Sequence, residues 1–107
     1  MSQEKKKVRE EFRNKVFSRD GHKCAMCFRK DCLLDAHHIT PRVEMPNGGY
    51  VKENGITLCN VPGGCHEKAE SWFSSSRKEE EEFSPINLYK KIKSSFDLAF
   101  KASEKLK

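Results

Sequence analysis

The chain has 107 residues, 36% hydrophobic and 35% charged, with 21 Lys/Arg against 16 Asp/Glu and a net charge of +5. That length holds one core with little room for a second. So sparse an apolar content excludes a large self-sufficient interior and favours a metal or disulfide staple. No apolar run approaches the roughly 20 residues of a membrane span. The polar start, Met1-Ser-Gln-Glu-Lys-Lys-Lys, lacks a signal-peptide core. A reducing cytoplasm is the expected setting, and there paired cysteines read as metal ligands.

Residues 1–30 carry ten Lys/Arg against four Asp/Glu, and residues 86–107 carry six against two. Between them, residues 31–66 stand at −2 and residues 67–85 at −3. Basic ends of this kind are either solvated helix faces or partners for phosphate backbones, and charge alone favours the first.

In chain order, residues 3–19 are predicted as a basic amphipathic helix. Val8, Phe12 and Val16 recur at four-residue spacing, and Asp20-Gly21 ends the run. Cys24-Ala-Met-Cys27 forms a tight turn. Leu33 to Ile39 reads as a strand, Pro41 to Gly49 as a loop closed by Asn47-Gly48-Gly49, and Ile56 to Cys59 as a second strand of the same hairpin. Asn60 to Gly64 is a loop, and a helix is expected from near Cys65 to about Phe73. Ser74-Ser-Ser reads as a break and Glu79 to Glu82 as a solvated acidic run. Ser84-Pro85 starts a final helix, whose stripe of Leu88, Ile92, Phe96 and Ala99/Phe100 is expected to pack on the domain.

Two cysteine pairs, Cys24-x-x-Cys27 and Cys59-x5-Cys65, are expected on two turns. Four thiolates from two turns suit a tetrahedral structural zinc, closed to substrate. The second pair is more widely spaced than usual, but Asn60-Val-Pro-Gly-Gly64 can bulge out between its thiolates. Cys32 is left over and reads as a half-buried free thiol.

Histidines interleave with these cysteines. His37 and His38 are adjacent on a predicted strand, so their side chains leave on opposite sides and suit different tasks. Asn54 precedes the second strand, and His66 follows Cys65 at a helix start. His22 is most simply a surface residue. The strings Asp35-Ala-His37-His38-Ile39, Asn54-Gly-Ile-Thr-Leu-Cys59 and Cys65-His66 together resemble the HNH (His-Asn-His) endonuclease superfamily over roughly residues 8–73.

The resemblance implies an α+β fold: a small ββα-metal (HNH, or His-Me finger) domain stapled by structural zinc, with flanking N- and C-terminal helices. The whole of 1–107 would then be a single domain. It would comprise the basic helix at 3–19, the zinc-stapled core at 20–73, and a linker and C-terminal helix at 74–107. The implied activity is metal-dependent hydrolysis of DNA phosphodiester bonds, with nicking the natural outcome for one active site. His37 and His66 would hold a catalytic divalent ion (Mg²⁺, Mn²⁺ or a transition metal), and His38 would be the general base. Asn54 would orient the loop that carries His38, or else touch the metal. Products would be a 5′-phosphate and a 3′-hydroxyl.

Asp35 shares a strand face with His37 and reads as a supporting carboxylate or a solvated one. Glu70, one helical turn past His66, stands where many relatives carry another histidine or asparagine, and could reach the metal. Arg42 is an expected nucleic-acid contact. The expected partner is double-stranded DNA, met by a monomer in a bacterial or phage-infected cell, with no membrane and with a phage packaging protein or another partner conceivable.

Two other classes compete. A zinc-stapled nucleic-acid-binding module without catalysis would keep the cysteines and the basic ends but would not need three histidines together. A zinc nucleobase deaminase would want H-x-E followed by P-C-x-x-C. Here His66 and Glu67 are adjacent and Cys24-x-x-Cys27 precedes the histidines, so that match fails.

Overall fold

The computed structural model describes residues 3–74 and 78–106. Helix α1 (Gln3–Arg19) is followed by strands β1 (Leu34–His38) and β2 (Gly55–Cys59), then helix α2 (Cys65–Ser74). A 3₁₀ segment at Lys78–Phe83 leads into helices α3 (Pro85–Lys91) and α4 (Phe96–Glu104). The result is a small α+β structure built on a two-stranded antiparallel sheet.

The strand register pairs His37 with Ile56 and His38 with Gly55. Because side chains alternate and paired residues share a face, Asp35, His37, Ile56 and Leu58 lie on one side. Ala36, His38, Gly55 and Thr57 lie on the other. Every residue of β2 is buried, which a strand covered on both faces requires. One cover is α1, through buried Phe12 and Val16. The opposite face joins the core of Ile39, Ala69, Phe83, Leu88, Tyr89 and Ala99.

Glycine is needed at position 55 because α1 lies directly on the strand there. A Cβ would stand 2.5 Å from Val16 Cγ2 and 2.7 Å from the Phe12 ring. Neither group is a floppy chain end, so overpacking follows. Gly55→Ala is expected to cost about 1–3 kcal/mol, read as a lower midpoint in thermal unfolding. An unchanged midpoint would mean that α1 is not seated as described.

The end of α1 is fastened to the same strand. Arg19 donates to the carbonyls of Lys52 and Gly55, each at 2.7 Å. Asp20 pairs with Arg19 and accepts the Thr57 amide at 2.9 Å. Nothing in the local sequence distinguishes these two residues from ordinary surface charge.

The expected elements stand at their places with edges shifted by a residue or so. The C-terminal stripe departs from expectation in that it is not a single helix. Ser94 donates to the Glu53 carbonyl at 2.9 Å, and Ser95 caps a new helix by accepting the Leu98 amide at 3.2 Å. Lys93, at φ +59°, makes the turn between the two helices. Side-chain bonds of serine to backbone compete with helix continuation, and two consecutive serines outweigh the apolar period. The stripe still packs in part. Leu88 and Ala99 are buried, and Ile92 and Phe100 are half-buried against the core, but Phe96 is 46% exposed. Ser84 caps α3 with Pro85 in its first turn, as the sequence leads one to expect.

Glu81 and Glu82, in the acidic run, are exposed, but that run forms the 3₁₀ segment and ends in buried Phe83. Ser74 ends α2, while Ser75 and Ser76 of the expected break lie outside the described residues. Among the described residues, no helix is long and apolar enough to cross a membrane.

Candidate functional site

Cys24 and Cys27 sit in the turn after α1. The Cys24 amide bonds to the Arg29 carbonyl at 2.8 Å, and the Ala25 amide docks the turn on the Thr57 carbonyl of β2 at 2.8 Å. The second pair is not on a single turn. Cys59 ends β2 and Cys65 begins α2, with the Val61–Gly64 turn between them. The wide spacing therefore spans a strand end and a helix start.

The four sulfurs lie within 4.8 Å of one another, with Cys27 Sγ and Cys59 Sγ 3.7 Å apart. Metal–sulfur bonds near 2.3 Å in a tetrahedron place sulfurs about 3.8 Å apart. The cluster thus has the size of a four-thiolate ion site, consistent with structural zinc. Backbone amides support it, Cys27 N–H donating to Cys24 Sγ and Cys65 N–H to Cys59 Sγ, at 3.4 and 3.3 Å.

The thiols also perturb one another. Burial works against ionising Cys24, but amides of Cys27, Met26 and Cys59 bring it down to about 7. Burial and the neighbouring Cys24 and Cys59 push Cys65 up, and Cys27 is raised by burial with the sulfurs around it. Thiols too crowded to ionise together gain from a dication among them. Cys32 is half-buried against the core, outside this cluster.

The histidines of β1 part as the alternation requires. His37 is 4% exposed and faces α2. There its Nδ1 lies 3.4 Å from Glu70 Oε2, and His66 Nε2 lies 3.5 Å from the same oxygen. These three residues each offer a ligand atom within 4.8 Å of the others. Asp35 Oδ2 stands 3.8 Å from His66 Nε2. A tetrahedral ion with bonds of 2.0–2.1 Å places its ligand atoms about 3.3 Å apart, so this trio could hold one and leave a position open. Glu70 is the third member by geometry.

His38 points the other way, into an aromatic box. Its ring stacks on Phe12 at 4.5 Å between centroids and meets Tyr50 edge-on at 4.8 Å. Its Nε2 is buried with no hydrogen-bond partner, as is Nε2 of His37. Proton exchange at His38 therefore falls to Nδ1. Burial, aided by the charge of Arg42, holds His38 down at about 4. Burial, aided by His66 and His38, holds His37 down at about 3.

Both histidines are thus neutral at pH 7, and the linkage has a definite sign. Below the unfolded value near 6.5 the unfolded chain binds protons that the folded chain refuses. Stability is accordingly full above pH 6.5 and is lost as pH falls toward 4, by at most about 1.4 kcal/mol per pH unit for each histidine. Urea midpoints taken across that range should fall with pH. A flat profile would remove the burial assigned to both rings.

Asn54 is fully buried and its amide is saturated. Oδ1 accepts from the Thr40 amide at 2.9 Å and from the Tyr89 hydroxyl at 2.8 Å. Nδ2 donates to the carbonyls of Thr40 and Gly49 at 3.1 and 3.3 Å. Two donors and two acceptor sites are all such an amide has, so nothing is left for a metal. Asn54 instead ties the segment just after His38 to the turn at Gly49 and to α3. Gly49, at φ +67°, is required there, because a Cβ would lie 2.7 Å from Asn54 Nδ2.

Arg42 is exposed and donates to the Tyr50 hydroxyl at 2.8 Å. Tyr50, Phe12 and Tyr89 were not singled out from sequence for the site. Tyr50 follows Gly48-Gly49 with no local signal, and Tyr89 looks like part of the C-terminal stripe. His22 lies on the surface after α1, ring-to-ring with Phe17.

No protein-family model, curated protein or solved structure matches the chain.

Proposed function

We propose that this chain is a metal-dependent endonuclease of the HNH type, hydrolysing DNA phosphodiester bonds and nicking as a single active site would. The observation that carries the reading is the convergence of His37, His66 and Glu70 where the hairpin meets α2. Cys65, immediately before His66, belongs to the cysteine cluster, so a structural zinc would fix the helix that presents His66 and Glu70 to the strand.

In this reading His37, His66 and Glu70 would hold the catalytic ion. A divalent ion bound there supplies Lewis-acid stabilisation of the phosphate and of the leaving oxygen. His38, neutral at working pH, takes a proton at Nδ1 from the attacking water. Asn54 is a positioning residue that fixes the backbone after His38. Arg42 offers its free guanidinium edge to phosphate. Asp35, 3.8 Å from His66 Nε2, adds negative charge beside the ion site.

A second reading, a zinc-stapled nucleic-acid-binding module without catalysis, is favoured by one observation: boxed between Phe12 and Tyr50, His38 is held down at about 4, a weak base near neutral pH.

Supercoiled plasmid separates the two. The purified protein, at low salt, should nick it when Mg²⁺ or Mn²⁺ is added and not otherwise. Omission of metal is the better control, because a chelator would also strip the thiolate site. His66→Ala should bind the plasmid but leave it intact. Binding without cutting by wild type under every metal would give the function to the binding module.

A further inference from the structure

Arg42, given a phosphate contact above, does not stand alone. The Tyr50 hydroxyl accepts a hydrogen bond from Arg42 Nη1 at 2.8 Å. Arg9, exposed on α1, acts on the same hydroxyl. Burial alone would raise this phenol, but hydrogen bonds from Arg42 and Arg9 lower it instead. Two guanidiniums from distant parts of the chain thus act on one phenol oxygen.

Like charges are brought together there without a compensating acid. Among the described residues, neither Arg9 nor Arg42 lies within ion-pair distance of a carboxylate, whereas Arg19 and Arg29 pair with Asp20 and Asp31. Each guanidinium carries five N–H donors, of which the hydroxyl can satisfy very few. Both residues are exposed, so the remaining donors face solvent. The phenol ring beneath them packs edge-on against His38, at 4.8 Å between centroids.

The geometry points to Arg9, Tyr50 and Arg42 as a phosphate clamp that seats a phosphodiester of the nucleic-acid strand beside His38. This rests on the nuclease reading and adds to it a second cation and the residue that joins the two. The planar fork of arginine suits phosphate oxygens. Tyr50 is the positioning residue: it aims both forks and couples them to the ring of His38.

The test is fluorescence anisotropy of a short labelled DNA duplex against salt, with no divalent ion added so that no cutting occurs. Each phosphate contact contributes about 0.9 to the slope of log K against log salt. Arg9→Gln with Arg42→Gln should lower the slope by about 0.9, because the two share one phosphate, and either alone by less. Tyr50→Phe, which keeps both charges but removes their shared acceptor, should weaken binding several-fold. Both arginines are exposed, and an unchanged melting curve verifies that the variants fold.

An unchanged slope in the double variant overturns the clamp, while wild-type binding and metal-dependent nicking would leave the nuclease reading standing. Clamp-dependent binding in a protein that never cuts supports the clamp and sinks the nuclease reading. Inorganic phosphate is the remaining arm, followed through the Nε–Hε signals of Arg9 and Arg42. If it moves those signals while the duplex does not bind, the site takes free phosphate and the nucleic-acid assignment falls.

Discussion

Cys59→Ser is expected to unfold the chain at ordinary temperature. Cys59 is 2% exposed, ends β2, lies 3.7 Å from Cys27 and receives the Cys65 amide. It thus joins three pieces at once: the turn after α1, the sheet and the start of α2. The apolar core that would otherwise hold them is small, since only 36% of residues are hydrophobic. In small zinc domains the binding free energy, apparently about 10–16 kcal/mol, is folding free energy, and it rivals the roughly 5–15 kcal/mol net stability of a typical domain. A serine hydroxyl is a poor replacement for thiolate and leaves three sulfurs crowded without their fourth. The loss should exceed about 4 kcal/mol, the range reserved for broken metal sites and comparable damage.

Elemental analysis and circular-dichroism melts would read the result. Wild type should carry one tightly held zinc in this cluster and melt cooperatively. Cys59→Ser should carry less and show no cooperative transition. Cys32→Ser is the internal control, because Cys32 sits outside the cluster, and it should keep both zinc and transition. A Cys59→Ser protein that melts like wild type would reduce the cluster to buried thiols.

The legibility of this chain followed the range of the interactions. Elements set by local period were readable: α1 from Val8, Phe12 and Val16, and α3 from the Ser84-Pro85 start. The opposite directions of His37 and His38 needed only the alternation of a strand. The cysteine cluster was readable from residue type, although Cys59 and Cys65 stand on a strand end and a helix start rather than on one turn. Glu70 was within reach because one helical turn from His66 is a fixed geometry.

Long-range packing was not readable. Arg19 and Asp20 look like any basic-acidic pair until β2 is laid beside them. The meeting of Arg9, Tyr50 and Arg42 spans three segments with no shared period. The break at Ser94-Ser95 pitted a sound apolar stripe against local serine bonding, and the stripe was the stronger signal in sequence but not in structure. The proposed HNH reading rests on the motif strings and on the convergence of His37, His66 and Glu70.

His38→Ala should lower the metal-dependent nicking rate by about 10²–10⁴-fold, the contribution of a positioned general base, with little effect on DNA affinity. Alanine also empties the space between Phe12 and Tyr50, so a fall in rate could reflect a shifted α1. His38→Gln fills more of that space without a group able to take the proton, and it should be as slow as alanine while melting closer to wild type. A glutamine variant that cuts at the wild-type rate would end the role of His38 as base.

The pH dependence of cutting tests the same base. Burial and the charge of Arg42 hold His38 at about 4 in the free protein, which keeps it neutral but makes it a weak base. A phosphate seated on Arg42 offsets part of that charge and moves the value upward, toward the range where a base works best near neutrality. The acid limb of kcat, which reports the bound complex, should therefore lie at higher pH than the acid limb of kcat/KM. Arg42→Gln should narrow the gap by raising the free-protein limb. Coincident limbs in wild type would mean that substrate charge does not reach His38, and the base would then have to work at its depressed value.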